Sequence, residues 1–178
     1  MDYRRNNSYT FGGRPLISKA EFCTYIKEYE HAMYAVAYSI AGNPHDAGDA
    51  IGEAILKAYA NLDKLRDKDA FKAWILRIVH NETVELLRKQ RPSVDIESAH
   101  HLITDDSEIR RTEKLDLKAA VETLPQPYRT VITLYYYEHM TMEDIAEITS
   151  ASPLAVRKQL SRGRKMLRQI LKEDYRYE

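Results

Sequence analysis

A chain of 178 residues, 44% of them hydrophobic and 30% charged, is long enough for one ordinary domain or two small ones and has the balance of a soluble globular protein. Its 27 basic side chains equal its 27 acidic ones, so no net attraction draws the whole chain to a polyanion, and a nucleic-acid surface has to come from local segregation of charge. The single cysteine, Cys23, excludes an internal disulfide and a thiolate-rich zinc site and is expected to pack within a helix, while no apolar run approaches the roughly 20 residues that span a bilayer.

Residues 1–17 contain Gly12, Gly13 and Pro15, show no helical period and open without an apolar signal core. They are expected to form a flexible N-terminal arm on a cytoplasmic protein. Ser18 and Glu21 then have the spacing of a capping box, in which the Ser oxygen accepts from an early helix N–H and the Glu reaches back to the cap. Phe22, Tyr25, Ile26, Tyr29, Met33, Val36, Ala37 and Ile40 follow at helical spacing and predict one continuous helix, ended by Gly42-Asn43-Pro44, which also supplies a cap and first residue for the next.

A second helix is expected over about Pro44 to Leu62, with Ile51, Ile55, Ala58 and Tyr59 as its apolar stripe and Asp46, Asp49 and Glu53 on another face. Asp67 is placed to cap a third, in which Phe71, Trp74, Ile75, Ile78, Val79 and Leu86 face a core until Arg91-Pro92 stops it. Pro92 to Glu108 lacks any period and carries only acidic formal charges, the composition of a solvated linker. Beyond it come a helix near Ile109 to Thr123, a Pro125-Gln126-Pro127 break, a helix through Val131 and Tyr135, and two more to about Leu171. With no strand pattern anywhere, the expected fold is all-α: two small helical domains, residues 18–91 and 109–178, joined by the flexible acidic linker 92–108.

Thr141 and Asp144 cap a short helix with Ile145, Ala146 and Ile148 inward, and Ser152-Pro153 starts the next after a tight turn. That is the pattern of a helix-turn-helix. From Ser150 to Lys172 the charged residues are Arg157, Lys158, Arg162, Arg164, Lys165, Arg168 and Lys172, with no acid among them, which makes a local cationic rod in a neutral chain. Residues in the first turns of such a helix reach base edges while later cations neutralise phosphates; Arg157, Lys158, Ser161 and Arg162 are best placed to read. The alternative is a solvated basic face that complements the helix dipole.

The first domain offers two further patterns. His45, Asp49 and Glu53 recur every four residues, but three ligands on one straight helix diverge over about 12 Å at 1.5 Å per residue, a poor geometry for a shared metal. Phe71 and Trp74 beside Arg77, Asn81, Arg88, Lys89 and Arg91 give the mixture of stacking and charge that single strands need, although aromatics at this spacing more often belong to a core. No catalytic or cofactor-binding arrangement occurs, and neither a metal nor a cofactor is expected.

Two stretches, Ala37-Tyr38-Ser39-Ile40-Ala41-Gly42-Asn43-Pro44-His45-Asp46-Ala47-Gly48-Asp49-Ala50 and Phe71-Lys72-Ala73-Trp74-Ile75-Leu76-Arg77-Ile78, closely resemble region 2 of bacterial sigma factors of the extracytoplasmic-function (ECF) type. Leu124-Pro125, Tyr128-Arg129-Thr130-Val131, Glu143 to Ile148 and Val156 to Arg164 resemble region 4 of the same family. The resemblance runs from about Ser18 to Leu171 in the family's order. It implies a promoter-specificity subunit that catalyses nothing itself, binds core RNA polymerase at the beta-prime clamp and beta flap, and often has an anti-sigma partner.

By position, the resemblance assigns Asp46, Asp49, Glu53 and Leu56 to polymerase docking. It assigns Asp63, Lys64, Leu65 and Arg66 of the Asp63–Asp69 loop, with Lys72, Arg77, Asn81 and Arg88, to the -10 element. Arg157, Lys158, Ser161, Arg162 and Arg164 would meet the -35 element. Gly48 and Gly52 depart from the family pattern and suggest a close helix–helix approach, and Ser150 stands where the family's turn often has Gly. The rival readings are a helix-turn-helix regulator that is not a polymerase subunit, a protein-interaction module, and a magnesium-dependent nuclease built on Asp46, Asp49 and Glu53.

Overall fold

A computed structural model describes residues 16–90 and 117–174, and within them every regular element is helical. The N-terminal module contains α1 (Lys19–Glu28), α2 (Glu30–Ala41), α3 (Pro44–Ala60), a 3₁₀ turn at Leu62–Lys64 and α4 (Phe71–Gln90). The C-terminal module contains α5 (Leu117–Glu122), α6 (Tyr128–Ile132), a π-helical turn at Thr133–Tyr137, α7 (Met142–Ile148) and α8 (Pro153–Asp174). The acidic linker lies outside the described residues, as does most of the expected arm.

The capping box at Ser18 forms as its spacing requires: Glu21 N–H donates to Ser18 Oγ at 3.2 Å and Ser18 N–H donates to Glu21 Oε2 at 2.8 Å. Ile17, just before the cap, is fully buried in the core, as is Phe22, so the end of the expected flexible arm is anchored. Two expectations fail on α1. The single long helix is broken at Tyr29, whose backbone leaves the helical region at φ −102° and ψ 11°, where Tyr25 and Tyr29 both lay their rings on Phe71 with centroids 4.8 and 6.0 Å away. Cys23 is exposed on α1 instead of packed.

Gly42 ends α2 in the left-handed conformation, at φ 74°, and Asn43 accepts from Asp46 N–H at 2.9 Å to start α3. The buried face of α3 is a row of alanines, Ala47, Ala50, Ala54 and Ala58, which lets it lie close to α2 and α4. The expected stripe is displaced: Ile51 and Ile55 only flank the core, and Tyr59 is exposed. Gly48 and Gly52 do not serve a close approach, since a Cβ on either would meet nothing within 4 Å. Asp67 accepts from Asp69 N–H at 3.0 Å and so shapes the loop ahead of α4 instead of capping the helix.

In the C-terminal module the glycine that does serve packing is Gly163. It is buried where α8 crosses α6, and an added Cβ would lie 3.0 Å from Ile132 Cγ1 and 3.5 Å from Tyr128 Cβ. The Thr141–Asp144 capping box starts α7, and Ser152 Oγ accepts from Ala155 N–H at 3.2 Å at the start of α8. Ser150, in the turn between them, takes the left-handed conformation at φ 53° that a glycine would adopt without strain.

The two modules abut, and their apolar side chains form one continuous cluster. Ser39 on α2 and Thr130 on α6, both buried, share a hydrogen bond of 3.0 Å. Beside it Arg129 donates from Nε to the Ser39 carbonyl at 2.6 Å and from Nη1 to the Glu122 carbonyl at 2.9 Å. A guanidinium there satisfies a carbonyl in the last turn of α2, at the end of the helix that favours positive charge.

Candidate nucleic-acid interface

The cationic rod is α8, which carries no acid from Pro153 to Lys172. Arg157, Lys158, Ser161, Arg162 and Arg164 are all exposed on it, while Val156, Leu160 and Gly163 face inward. Ser161, Arg162, Arg164, Lys165 and Arg168 line a shallow, strongly basic depression. Arg164 also donates from Nε to the Leu160 carbonyl at 3.3 Å, which holds its guanidinium back along the helix. Leu154, in the first turn and one turn ahead of Arg157 and Lys158, is 60% exposed, an apolar residue that the sequence pattern did not single out. A cation flanked by an apolar group at the start of a protruding helix can read a guanine edge and a thymine methyl side by side.

The residues assigned to a single strand are arranged less simply. Asp63, Lys64 and Arg66 are exposed on the loop after α3, but Leu65 is 4% exposed and anchors that loop in the core, so its side chain offers no surface. Lys68 and Glu21 join at 2.8 Å and tie the loop to α1. Glu21 is thereby held at a pKa of about 2, chiefly by Lys68 and then by the Ser18 hydrogen bonds. On α4, Arg77, Asn81 and Arg88 are exposed. Phe71 is buried and Trp74 half-buried against it, so these aromatics belong to the core and not to a stacking platform.

Lys72 and Arg77 are already engaged. Lys72 Nζ lies 2.9 Å from Glu138 Oε2 and donates to the Glu138 carbonyl at 2.9 Å, and Arg77 Nη1 donates to Glu147 Oε1 at 3.0 Å. Both acids belong to the C-terminal module.

A third surface lies between α3 and α4, where Gly48, Asp49, Gly52, Glu53, Leu56 and Leu86 line an open groove. Leu56 is 66% exposed. Bare backbone at the two glycines, an acidic rim, the exposed Leu56 and the half-buried Leu86 suit a protein helix better than a small molecule. Asp46 stands apart from this groove, with its carboxylate held by Asn43 at 2.8 Å and Gln90 at 3.0 Å; those bonds keep its pKa below the ordinary range. His45 Nδ1 approaches Asp49 at 3.5 Å as an exposed pair, and no group of three potential ligands among the described residues is placed to hold a metal. No described helix is long and apolar enough to cross a membrane.

Residues 25–93 match the family model of Sigma-70 region 2, and residues 114–167 match that of Sigma-70, region 4. The RNA polymerase sigma factor SigV of Bacillus subtilis is 32% identical over 160 residues, spanning 88% of this chain and 95% of that protein. The ECF RNA polymerase sigma factor SigW of the same organism is 27% identical over 167 residues, spanning 85% of this chain and 89% of the relative. Among solved structures, the sigma factor RpoE in complex with the anti-sigma factor NepR from Bartonella quintana superposes with a TM-score of 0.65 at 24% identity, covering 85% of this chain and 97% of that one. CnrH in complex with the cytosolic domain of CnrY gives 0.62 at 24% identity, covering 88% and 91%. The fold is shared with both.

Proposed function

The chain belongs to the ECF type of the sigma-70 family of RNA polymerase sigma factors, non-enzymatic DNA-binding proteins of transcription initiation, and on that footing we propose how its surfaces divide the work. The observation that carries the proposal is the exposed basic face of α8, without an acid from Pro153 to Lys172, behind a capped short helix, in a chain whose other module matches region 2. In this reading α8 enters the major groove of the -35 element. Arg157, Lys158, Ser161 and Arg162 read, and Arg164, Lys165 and Arg168 neutralise phosphates.

The loop from Asp63 to Arg66 and the α4 residues Lys72, Arg77, Asn81 and Arg88 take the non-template strand of the -10 element. Trapping an unstacked base there offsets the few kcal/mol of local unpairing. Leu65 holds the loop's shape from beneath. The groove bearing Asp49, Glu53 and Leu56 takes the beta-prime clamp of core polymerase, and Asp46 stiffens the start of that helix. The C-terminal module touches the beta flap. An anti-sigma protein is a further proposed partner, since the RpoE relative is held by one in its solved structure.

Transcription in vitro by core polymerase on a fragmented genomic library tests the whole assignment. Discrete start sites that require this protein are the expected result. Specific duplex binding by the free chain without such starts would instead favour a regulator outside the polymerase.

A further inference from the structure

The cations that α4 would offer to the -10 strand are occupied by the chain's own acids. Lys72 binds both the carboxylate and the carbonyl of Glu138, and Arg77 binds the Glu147 carboxylate. The Lys72–Glu138 pair is largely shielded from water, with the Glu138 side chain only 13% exposed. Shielding of this kind weakens screening by salt and strengthens the pair. Around α4, Lys72 and Arg77 stand about 140° apart at 100° per residue, and Leu76 and His80, both buried, fall between them. The ion pairs therefore flank a closed seam in which α4 packs against α7.

Carboxylates on these two cations stand where strand phosphates would have to bind. The acids come from the C-terminal module: Glu147 from α7, and Glu138 from the segment between the π-helical turn and α7. The two modules are also joined between α2 and α6, by the buried Ser39–Thr130 bond and by Arg129. Engaging a strand through Lys72 and Arg77 requires these pairs to part.

We infer that the edge of α4 bearing Lys72 and Arg77 is a docking surface for the chain's own C-terminal module. Glu138 and Glu147 there act as phosphate mimics that mask the single-strand surface of the free protein. Because this rests on the proposal that α4 meets the -10 strand, the test separates the two ideas. The Glu138→Gln and Glu147→Gln double variant keeps the size of both side chains and removes both charges. The full-length variant is titrated against a fluorescein-labelled single-stranded oligonucleotide of thymidines, beside wild type and a Glu30→Gln and Glu143→Gln control that makes the same change of net charge elsewhere.

The expected result is binding about threefold to tenfold tighter than the control, the scale set by two partly screened ion pairs, with the gain abolished by adding Lys72→Gln and Arg77→Gln. No gain over the control, or a gain that survives loss of the two cations, overturns the masking. The -10 assignment is judged separately: it fails if Lys72→Gln and Arg77→Gln leave polymerase-dependent transcription unchanged, whatever the oligonucleotide shows.

Discussion

Ser39 and Thr130 stand 91 positions apart in the chain, yet their hydroxyls meet at 3.0 Å in a buried bond that joins the two modules. Ser39 Oγ also lies 2.8 Å from the Val36 carbonyl, so the pair is anchored to the α2 backbone. A buried hydroxyl deprived of its partner costs about 1–3 kcal/mol, whereas removing both partners with groups of similar shape is close to neutral. Ser39→Ala is therefore expected to destabilise the protein by about 1–3 kcal/mol, and adding Thr130→Val to recover part of that loss. Urea unfolding of the four members of the cycle measures the coupling; strict additivity would mean that the bond contributes nothing.

The glycines divide by what surrounds them. Gly48 and Gly52 sit on the open side of α3 with room for a Cβ, so Gly48→Ala and Gly52→Ala should each stabilise the protein by about 0.5–1 kcal/mol through helix propensity. Gly163 has Ile132 at 3.0 Å from the position of a Cβ. There Gly163→Ala sets overpacking of about 1–3 kcal/mol against the same gain of about 1 kcal/mol, and the net should be a loss. Thermal melting separates the cases, and Gly48→Ala and Gly52→Ala also test the groove: a protein partner that uses bare backbone at these glycines would bind the more stable variants less well.

Much of the local structure was legible because it is written in neighbouring residues. The caps at Ser18, Asn43 and Thr141 and the stop at Gly42 all form where the sequence puts them. What was not legible depends on distant partners. One apolar period runs straight through Tyr29, so the break there, beside the ring's contact with Phe71, leaves no mark in the pattern. Alanines at positions 47, 50 and 54 look neutral beside Ile51 and Ile55, yet with Ala58, which was expected to face inward, they are the buried face because α3 lies close to its neighbours. Nothing in the sequence pairs Ser39 with Thr130 and Arg129, and their role emerges only when the modules meet. The basic face of α8 needed no partner to be seen, since segregated charge is a property of the sequence itself.

Acid should loosen the protein in two separate windows. Burial pushes His80 below its ordinary value of 6.5, against a smaller upward pull from Asn81. Above pH 6.5 the imidazole is neutral in folded and unfolded chains alike. As pH falls through 6.5 the unfolded chain takes the proton first, so stability declines until the pH passes below the folded value. Glu21 acts lower: its stabilising pairing is complete above its ordinary 4.5 and is lost as pH falls toward about 2. Melting temperature measured against pH should show a first decline just below 6.5 that His80→Gln flattens. A second, below 4.5, should be reduced by Glu21→Gln.

The proposed reading of bases by α8 gives the sharpest prediction about promoter choice. Arg157, exposed near the start of the helix, is expected to make a bidentate contact with a guanine. Leu154, one turn earlier and 60% exposed, can cover a neighbouring thymine methyl. Arg157→Ala should cost about 1–3 kcal/mol of discrimination at one base pair of the -35 element and little elsewhere. Leu154→Ala should relax preference at an adjacent position without changing the salt dependence, because it removes no charge. Arg168→Ala, further along the helix, should weaken all promoters alike and lower the salt slope by about one unit. Initiation from a library randomised across the -35 element, assayed with each variant at two salt concentrations, distinguishes these outcomes. Uniform weakening by Arg157→Ala would reassign that residue to a phosphate.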